Sequence, residues 1–284
     1  MHQSSHMMKC EHLRKRKAPA QKLCALTAYD APTARVLDEA GIDILFVGDS
    51  VGTNVLGYAS EREVTLSDIA HHVAAVRRGA EDAVVLADLP FSSYDDPETA
   101  FTNASTLIRA GASLVKVEGA DQASNIRRLS EAGITVCAHL GFTPQTLSMH
   151  DGKARVQART VIDALALVDA AEELQSAGAA FLVLELVPDI VAKSVTERIK
   201  IPTLGIGAGR HCDGQVLIVY DVLGLSALNL KLAKQYANGR EFFLTAFLEY
   251  QREVRSGLFP GEANSFHMTP EVEADFLCGL IERA

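Results

Sequence analysis

The sequence predicts a (β/α)8 barrel, a closed ring of eight parallel strands surrounded by helices. Short apolar runs alternate with helical patterns from residue 23 to about residue 230, giving eight units. Each unit averages roughly 26 residues, close to the length that such a barrel uses. A glycine ends the helical pattern just before the next apolar run, as helix C-caps before buried strands do. These joints lie at Gly41, Gly79, Gly111, Gly133 and Gly178.

A doubly wound parallel sheet is the alternative architecture. It would ordinarily carry a GxGxxG turn after the first strand, and residues 25–32 read ALTAYDAP instead. The later GIGAG, residues 205–209, has the wrong spacing for that turn and is interpreted as a tight loop after strand seven. We therefore predict one barrel domain at residues 23–265. An N-terminal extension with a leading helix (1–22) precedes it, and a C-terminal helical tail (266–284) follows.

The predicted elements follow from apolar runs, caps and breakers. Strands one to eight are expected within residues 23–30, 44–52, 84–88, 114–119, 134–139, 181–186, 201–207 and 216–221. Helices are expected at residues 31–41, 64–79, 96–111, 124–133, 161–177, 240–257 and 269–284, with Asp96 as an N-cap and Pro32 in a first turn. Residues 1–8 are interpreted as a frayed end, and the basic residues 13–17 as the solvated face of the leading helix.

The amino-acid composition limits the classes of function that the sequence allows. The 284 residues are 48% hydrophobic and 22% charged, typical of a globular protein. The net charge of -9 argues against a nucleic-acid or membrane-surface partner, because the long-range field repels phosphates. The five cysteines lack CxxC spacing, so neither a disulfide framework nor a zinc cage is predicted, and a cytoplasmic location fits. No apolar run reaches the roughly 18 residues of a membrane-spanning helix.

Acidic residues end four of the predicted strands. Asp49, Asp88, Glu118 and Glu185 follow apolar runs at the edge where ligands bind in α/β folds. Side chains alternate along a strand, so Lys116 shares a face with Glu118, and the neighbouring valines face the helices. The sequence therefore predicts a polar site at the C-terminal mouth of the barrel.

The acids of strands two, three and four point to a divalent ion. Asp49, Asp88 and Glu118 come from neighbouring strands, so their carboxylates can converge. Two such charges about 4 Å apart repel by about 4 kcal/mol at an effective dielectric constant of 20, so a cation is needed. Ligands that are all oxygen favour Mg²⁺ or Mn²⁺.

The same residues could instead have structural roles, which the sequence does not exclude. Asp49 and Asp88 could cap the helices that follow, and Glu118 could be the salt-bridge partner of Lys116. Glu185 has no cationic neighbour in the sequence and could act as a base facing the substrate. His139 could bond the backbone at the barrel mouth or contact the substrate.

Long motifs resemble one enzyme family. The matching segments include LTAYD, VGDSVG, LADLPF, LVKVEG, HLGFTPQ, LVLELVP, GIGAGRHCDGQVLIVYD and FPGE, and they cover nearly the whole chain. In these motifs the chain resembles ketopantoate hydroxymethyltransferases, which are (β/α)8 barrels related to the phosphoenolpyruvate mutase and isocitrate lyase group. The resemblance implies hydroxymethyl transfer from 5,10-methylenetetrahydrofolate to 3-methyl-2-oxobutanoate, giving 2-dehydropantoate in pantothenate synthesis.

The resemblance also implies roles for residues and an assembly. Asp49, Asp88 and Glu118 would serve a Mg²⁺ site, and Glu185 would be the proton acceptor. The substrate contacts would be Asp49, Ser50, Asp88 and Lys116, through a Mg²⁺-stabilised enolate. The expected assembly is a homo-oligomer, a decamer built as a pentamer of dimers. A metal-dependent 2-oxo-acid lyase or mutase on the same barrel is the alternative, and it would turn over without folate.

Two departures from the family pattern are visible. The loop usually written GGxKVQGR reads DGKARVQAR at residues 151–159, with Arg155 in place of Lys and Ala158 in place of Gly. The tail beyond His267 is also longer than the family leads us to expect. The first departure predicts altered lid behaviour or folate contacts.

Overall fold

Eight parallel strands form a closed barrel in the computed structural model, which confirms the predicted architecture. The structure describes residues 2–17, 21–147, 154–226 and 230–283. Two compact units divide the chain, Met1–Tyr236 and Ala237–Ala284. The strands are β1 Leu23–Thr27, β2 Ile44–Val47, β3 Val84–Asp88, β4 Leu114–Glu118, β5 Val136–Gly141, β6 Phe181–Glu185, β7 Thr203–Ile206 and β8 Gly214–Leu217.

Each strand pairs with the next in the chain, and β8 closes the ring by pairing with β1. Every residue of β3 and β4 is buried, as expected for parallel strands covered by helices on one side and by the barrel interior on the other. One apolar cluster fills the barrel interior around the first residues of the strands, such as Leu23 and Ile44. Cys10 and Leu13 belong to the same cluster, so the leading helix covers the N-terminal end of the barrel.

The helices of the first unit are α1 His2–Leu13, α2 Ala31–Glu39, α3 Leu66–Gly79, α4 Pro97–Ala110, α5 Ala123–Glu131, α6 Pro144–Leu147, α7 Val161–Ser176, α8 Asp189–Arg198 and α9 Val219–Leu223. Helix α1 precedes β1, and the other helices of the first unit come after strands, with buried residues on one face of the longer ones. Asp96 accepts hydrogen bonds from the first turn of α4, as predicted. Thr65 and Asp68 form a capping box at the start of α3.

Two predicted strands have different limits. Strand eight was expected at residues 216–221, but β8 begins at Gly214, and α9 begins at Val219, whose N–H donates to Thr27 Oγ1 (3.0 Å). A short apolar run does not distinguish strand from helix, which explains the error. Strand five was expected to end at His139, but it continues to Gly141. A Cβ at Gly141 would lie 2.1 Å from the Glu185 carbonyl oxygen, so glycine permits this close pairing.

The N-terminal segment differs from the prediction. The expected frayed end at residues 1–8 is helical from His2 onward. Of the basic residues, Arg14 and Lys15 are exposed as predicted, although they follow the end of the helix. The other two are not solvated, because Arg16 pairs with Asp43 (3.2 Å) and Lys17 with Asp213 (2.8 Å). Lys17 also donates to the carbonyl oxygen of Thr196 (2.7 Å). Acidic partners at the N-terminal end of the barrel therefore hold this segment.

The second unit contains helix α10, Gly239–Ser256, and helix α11, Pro270–Ile281. Both predicted helices are present, and neither contains a buried residue. The break between the units follows Tyr236. Among the described residues, no helix combines the length and apolar character needed to cross a membrane.

Candidate active site

The four acids that end predicted strands line one cavity at the C-terminal mouth of the barrel. Asp49 lies two residues after β2, and Asp88, Glu118 and Glu185 are the last residues of β3, β4 and β6. All four line a cavity of about 940 Å³. Lys116, Ser50 and His139 line it too, so the structure brings together every site residue named from the sequence.

A buried ammonium group lies among the acids. Lys116 Nζ is 2.8 Å from Asp88 Oδ1 and 3.3 Å from Glu118 Oε2. Burial lowers the pKa of Lys116, but the negative charges of Asp88, Glu118 and Asp49 outweigh it and raise that pKa well above its ordinary value. The salt bridge considered for Glu118 is therefore present, and Lys116 also neutralises Asp88.

Glu118 is held by three donors. Its Oε1 accepts a hydrogen bond from the backbone N–H of Gln145 (2.7 Å), and its Oε2 lies 3.1 Å from His139 Nδ1. Burial raises the pKa of Glu118, but the charge of Lys116 and the hydrogen bond from His139 lower it to about 2. Glu118 is therefore ionised throughout the neutral range.

Asp49 has less positive charge around it. Its Oδ2 accepts a hydrogen bond from Gln145 Nε2 (2.9 Å), and its backbone N–H donates to Asp88 Oδ2 (3.3 Å). Burial, followed by the charge of Asp88, raises the pKa of Asp49 well above its ordinary value, although Lys116 opposes this. Such a carboxylate would gain from an additional cation.

His139 links two of the acids. Its Nδ1 faces Glu118, and its Nε2 is 3.3 Å from Glu185 Oε2. Burial and the charge of Lys116 lower the pKa of His139, but its contacts with the two carboxylates raise it to about 9. His139 therefore lies between Glu118 and Glu185, within ion-pair distance of both carboxylates.

Ser50 contacts the first loop of the barrel through its side chain. Its hydroxyl lies 2.8 Å from the Tyr29 hydroxyl. The carbonyl oxygen of Tyr29 is in turn 2.6 Å from His72 Nδ1, so a histidine to which the sequence assigned no role supports this wall.

The residues present fit a magnesium ion. Over residues 2–17, 21–147, 154–226 and 230–283, no group of three or more His, Cys, Asp or Glu side chains forms a ready-made metal cage. Mg²⁺ is usually held by one or two carboxylates together with water and substrate oxygens. Asp49 and Asp88 supply two such carboxylates at the ends of adjacent strands, and the Asp49 backbone N–H lies 3.3 Å from Asp88 Oδ2.

The backbone around Glu185 is held from both sides. The Glu185 carbonyl oxygen accepts from Phe142 N–H (2.8 Å), and Leu186 N–H donates to the carbonyl oxygen of Ile206 (2.9 Å). Leu186 has a φ of 47°, which is rare for a branched residue. Strained backbone of this kind persists where the surrounding contacts require it, and here those contacts fix the direction of Glu185.

The loop that departs from the family pattern touches this strand end. Gln157 N–H donates to the Leu186 carbonyl oxygen (2.8 Å), and Ala158 has a φ of 53°, in the left-handed region that favours glycine. Residues 151–153 of that loop lie outside the described residues. Alanine therefore replaces glycine at a position where glycine would be unstrained.

Solved structures with a similar fold include a lyase and a hydrolase. The chain is similar to 2,3-dimethylmalate lyase, a phosphoenolpyruvate mutase/isocitrate lyase superfamily member. The TM-score is 0.57 and the identity 17%, over 95% of this chain and 93% of that chain. It is also similar to phosphonopyruvate hydrolase in complex with oxalate and Mg²⁺. That TM-score is 0.59 and the identity 12%, over 100% of this chain and 98% of that chain. These likenesses confirm the barrel fold.

Sequence comparisons identify the family, which the likeness of fold alone does not. The 3-methyl-2-oxobutanoate hydroxymethyltransferase of Thermotoga maritima is 47% identical over 262 residues, 91% of this chain and 96% of the relative. The enzyme of the same name from Shewanella piezotolerans is 44% identical over 256 residues, 89% of this chain and 97% of the relative. The family model described as ketopantoate hydroxymethyltransferase matches residues 7–262. The chain therefore belongs to the ketopantoate hydroxymethyltransferase family of enzymes.

Proposed function

We propose that the protein transfers a hydroxymethyl group from 5,10-methylenetetrahydrofolate to 3-methyl-2-oxobutanoate, giving 2-dehydropantoate, as the first step of pantothenate synthesis. Family membership supports the reaction. The observation that carries it to this chain is the convergence of Asp49, Asp88, Lys116, Glu118 and Glu185 on one cavity.

Asp49 and Asp88 would hold the Mg²⁺ ion, with Glu118 beside them; Mn²⁺ could replace Mg²⁺ at such a site. When bound, the ion would act as a Lewis acid that polarises the oxo acid and makes its C3 proton more acidic. The raised pKa of Asp49 supports this assignment, because a second cation next to Lys116 would compensate the remaining carboxylate charge.

Glu185 removes the C3 proton of the oxo acid. Its carboxylate lines the cavity and lies 3.3 Å from His139 Nε2. Lys116 places a positive charge at the same mouth, where negative charge develops on the oxo-acid oxygen as the proton leaves. Asp49, Ser50, Asp88 and Lys116 contact the oxo acid.

The transfer balances as follows. The C3–H bond breaks and its proton goes to Glu185, and the C3 carbon of the enolate forms a bond to the methylene carbon carried by the folate. The two C–N bonds that hold this carbon in the folate break, and water supplies the hydroxyl of the new hydroxymethyl group. The other proton of water and the proton taken by Glu185 go to the two released nitrogens, so tetrahydrofolate leaves. A cavity of about 940 Å³ is larger than a five-carbon oxo acid requires, which supports binding of a second substrate.

Loss of 3-methyl-2-oxobutanoate, measured with and without the folate and with and without Mg²⁺, tests this function. We expect consumption only when both are present, with formation of 2-dehydropantoate. Consumption without folate would favour a lyase or mutase, and the absence of any consumption would contradict an enzymatic role.

We also propose that the protein is a homo-oligomer, with the decamer of its family as the expected size. Helix α10 exposes Phe242, Phe243 and Phe247, with exposures of 72%, 44% and 65%, and large apolar surfaces often mark interfaces. Sedimentation velocity of the full chain, and of a chain that ends before α11, tests this. A full chain that sediments as a monomer would contradict it.

A further inference from the structure

Gln145 contacts two of the proposed metal-site acids from behind. It is the second residue of α6 and is completely buried. Its Nε2 donates to Asp49 Oδ2 (2.9 Å), and its backbone N–H donates to Glu118 Oε1 (2.7 Å). It is not among the residues that line the cavity. One residue therefore bonds both acids without occupying the space of the substrate.

The hydrogen bonds of the Gln145 side chain determine the orientation of its amide. One N–H of Nε2 is directed to Asp49 and the other to the carbonyl oxygen of Leu89 (3.1 Å). Both partners can only accept while Asp49 is ionised, so the nitrogen must face them. On the opposite side, Oε1 accepts from the Tyr94 hydroxyl (2.5 Å). The reversed amide would leave two acceptors facing an oxygen.

Tyr94 is in turn held by a residue of α5. Asn125 Nδ2 donates to the Tyr94 carbonyl oxygen (2.7 Å), and both residues are buried. A chain of hydrogen bonds thus runs from α5 through Tyr94 and Gln145 to Asp49. Donors that orient a ligating carboxylate in this way typically change metal affinity 10- to 100-fold when they are removed.

We propose that Gln145 is a positioning residue that fixes the orientations of Asp49 and Glu118 and thereby sets the affinity of the site for its divalent ion. This inference rests on the proposed function, because that function assigns the ion to these acids. The side-chain amide determines how the Asp49 carboxylate turns, and the backbone N–H keeps Glu118 against Lys116 and His139.

The test measures Mn²⁺ binding to the full chain by electron paramagnetic resonance, without substrate or folate. Gln145→Met keeps the length of the side chain and the backbone N–H but removes the donor to Asp49. We expect its Kd for Mn²⁺ to rise about 10- to 100-fold. The apparent Mg²⁺ constant for turnover should rise by a similar factor, whereas kcat at saturating Mg²⁺ should fall less.

Tyr94→Phe is the matched control. It removes the hydrogen bond to Oε1 but leaves both Nε2 contacts of Gln145 in place, so we expect its Kd for Mn²⁺ to stay within about threefold of the parent value. If Gln145→Met does not fold, Gln145→Leu replaces it, since it also removes the donor to Asp49 and keeps the backbone N–H to Glu118.

Different results separate this inference from the proposed function. If the parent protein binds Mn²⁺ and a folded Gln145 variant binds it equally well, the inference is wrong, and Gln145 only stabilises the fold. Equal weakening in Tyr94→Phe and Gln145→Met would also overturn it. If the parent binds Mn²⁺ but does not consume the oxo acid, the proposed function fails, while the Mn²⁺ affinities still decide the inference.

Discussion

Replacing Lys116 with methionine removes the only charge partner that Asp88 and Glu118 share among the described ion pairs. The ammonium is 3% exposed and lies 2.8 Å from Asp88 and 3.3 Å from Glu118. Methionine fills a similar volume, so the loss is mainly electrostatic. We expect a large decrease in stability, because the buried Asp88 loses its cation and the buried Glu118 keeps only its contact with His139.

The distances from the ammonium group to the two carboxylates give the size of the expected loss of stability. At an effective dielectric constant of 20, charges at these separations attract by roughly 6 and 5 kcal/mol, before the cost of burying the charges is counted. Removing one partner of a buried pair typically costs about 3 to 5 kcal/mol. For a domain of this size, each kcal/mol shifts the melting temperature by about 2 to 4 °C, so Lys116→Met should melt about 6 to 20 °C lower.

Thermal unfolding followed by circular dichroism, at neutral pH with EDTA present, measures this shift. Lys193→Met is the control, because Lys193 forms an exposed pair with Glu197 at 3.8 Å. Exposed helical pairs contribute about 0.3 to 0.5 kcal/mol, so the control should shift by less than about 2 °C. A Lys116→Met protein that melts within about 3 °C of the parent would refute the electrostatic reasoning.

Three further predictions concern stability. Ala158→Gly should raise the free energy of unfolding by about 0.5 kcal/mol, because relief of the left-handed strain exceeds the added entropy of the unfolded chain. A lower free energy of unfolding would contradict the observed φ. Asp213→Asn should lower the free energy of unfolding, measured by urea titration, by about 2 kcal/mol, because it weakens the ion pair with Lys17. An unchanged free energy of unfolding would show that this pair contributes nothing to stability. Partial burial raises the pKa of Asp68, but hydrogen bonds from Thr65 outweigh it and lower that pKa. The stabilising effect of Asp68 is therefore present above about pH 4 and lost as pH falls, so the parent and Asp68→Ala, about 1 kcal/mol apart at pH 7, should converge in acid. A constant difference across pH would exclude this origin.

The barrel and its acids could be predicted because both depend on local sequence. Each strand is an apolar run, five of the runs follow a glycine joint, and the pairing of consecutive strands follows from their order. Asp49, Asp88, Glu118 and Glu185 lie at strand ends, and the barrel alone brings strand ends together. Their convergence thus required no knowledge of particular side-chain contacts.

The contacts that hold the acids could not be predicted, because they join distant positions. Gln145 lies 96 residues after Asp49 and 27 after Glu118 in the chain. The motif HLGFTPQ contains this glutamine, but neither its spacing nor its composition shows which acids it contacts. For the same reason the sequence did not reveal that Lys17 pairs with Asp213, which is 196 positions away.

The role of proton acceptor that we propose for Glu185 can be tested directly. Exchange of the C3 proton of 3-methyl-2-oxobutanoate in D₂O can be followed by NMR with Mg²⁺ present and folate absent, so only proton removal is observed. Glu197→Gln, which removes an exposed carboxylate from α8, is the control and should exchange at the parent rate.

We predict that Glu185→Gln slows this exchange by about 10²- to 10⁴-fold, the usual contribution of a general base. Exchange at the parent rate in a folded Glu185→Gln protein would contradict the account, because the carboxylate held by His139 at this mouth would then not be the group that takes the proton.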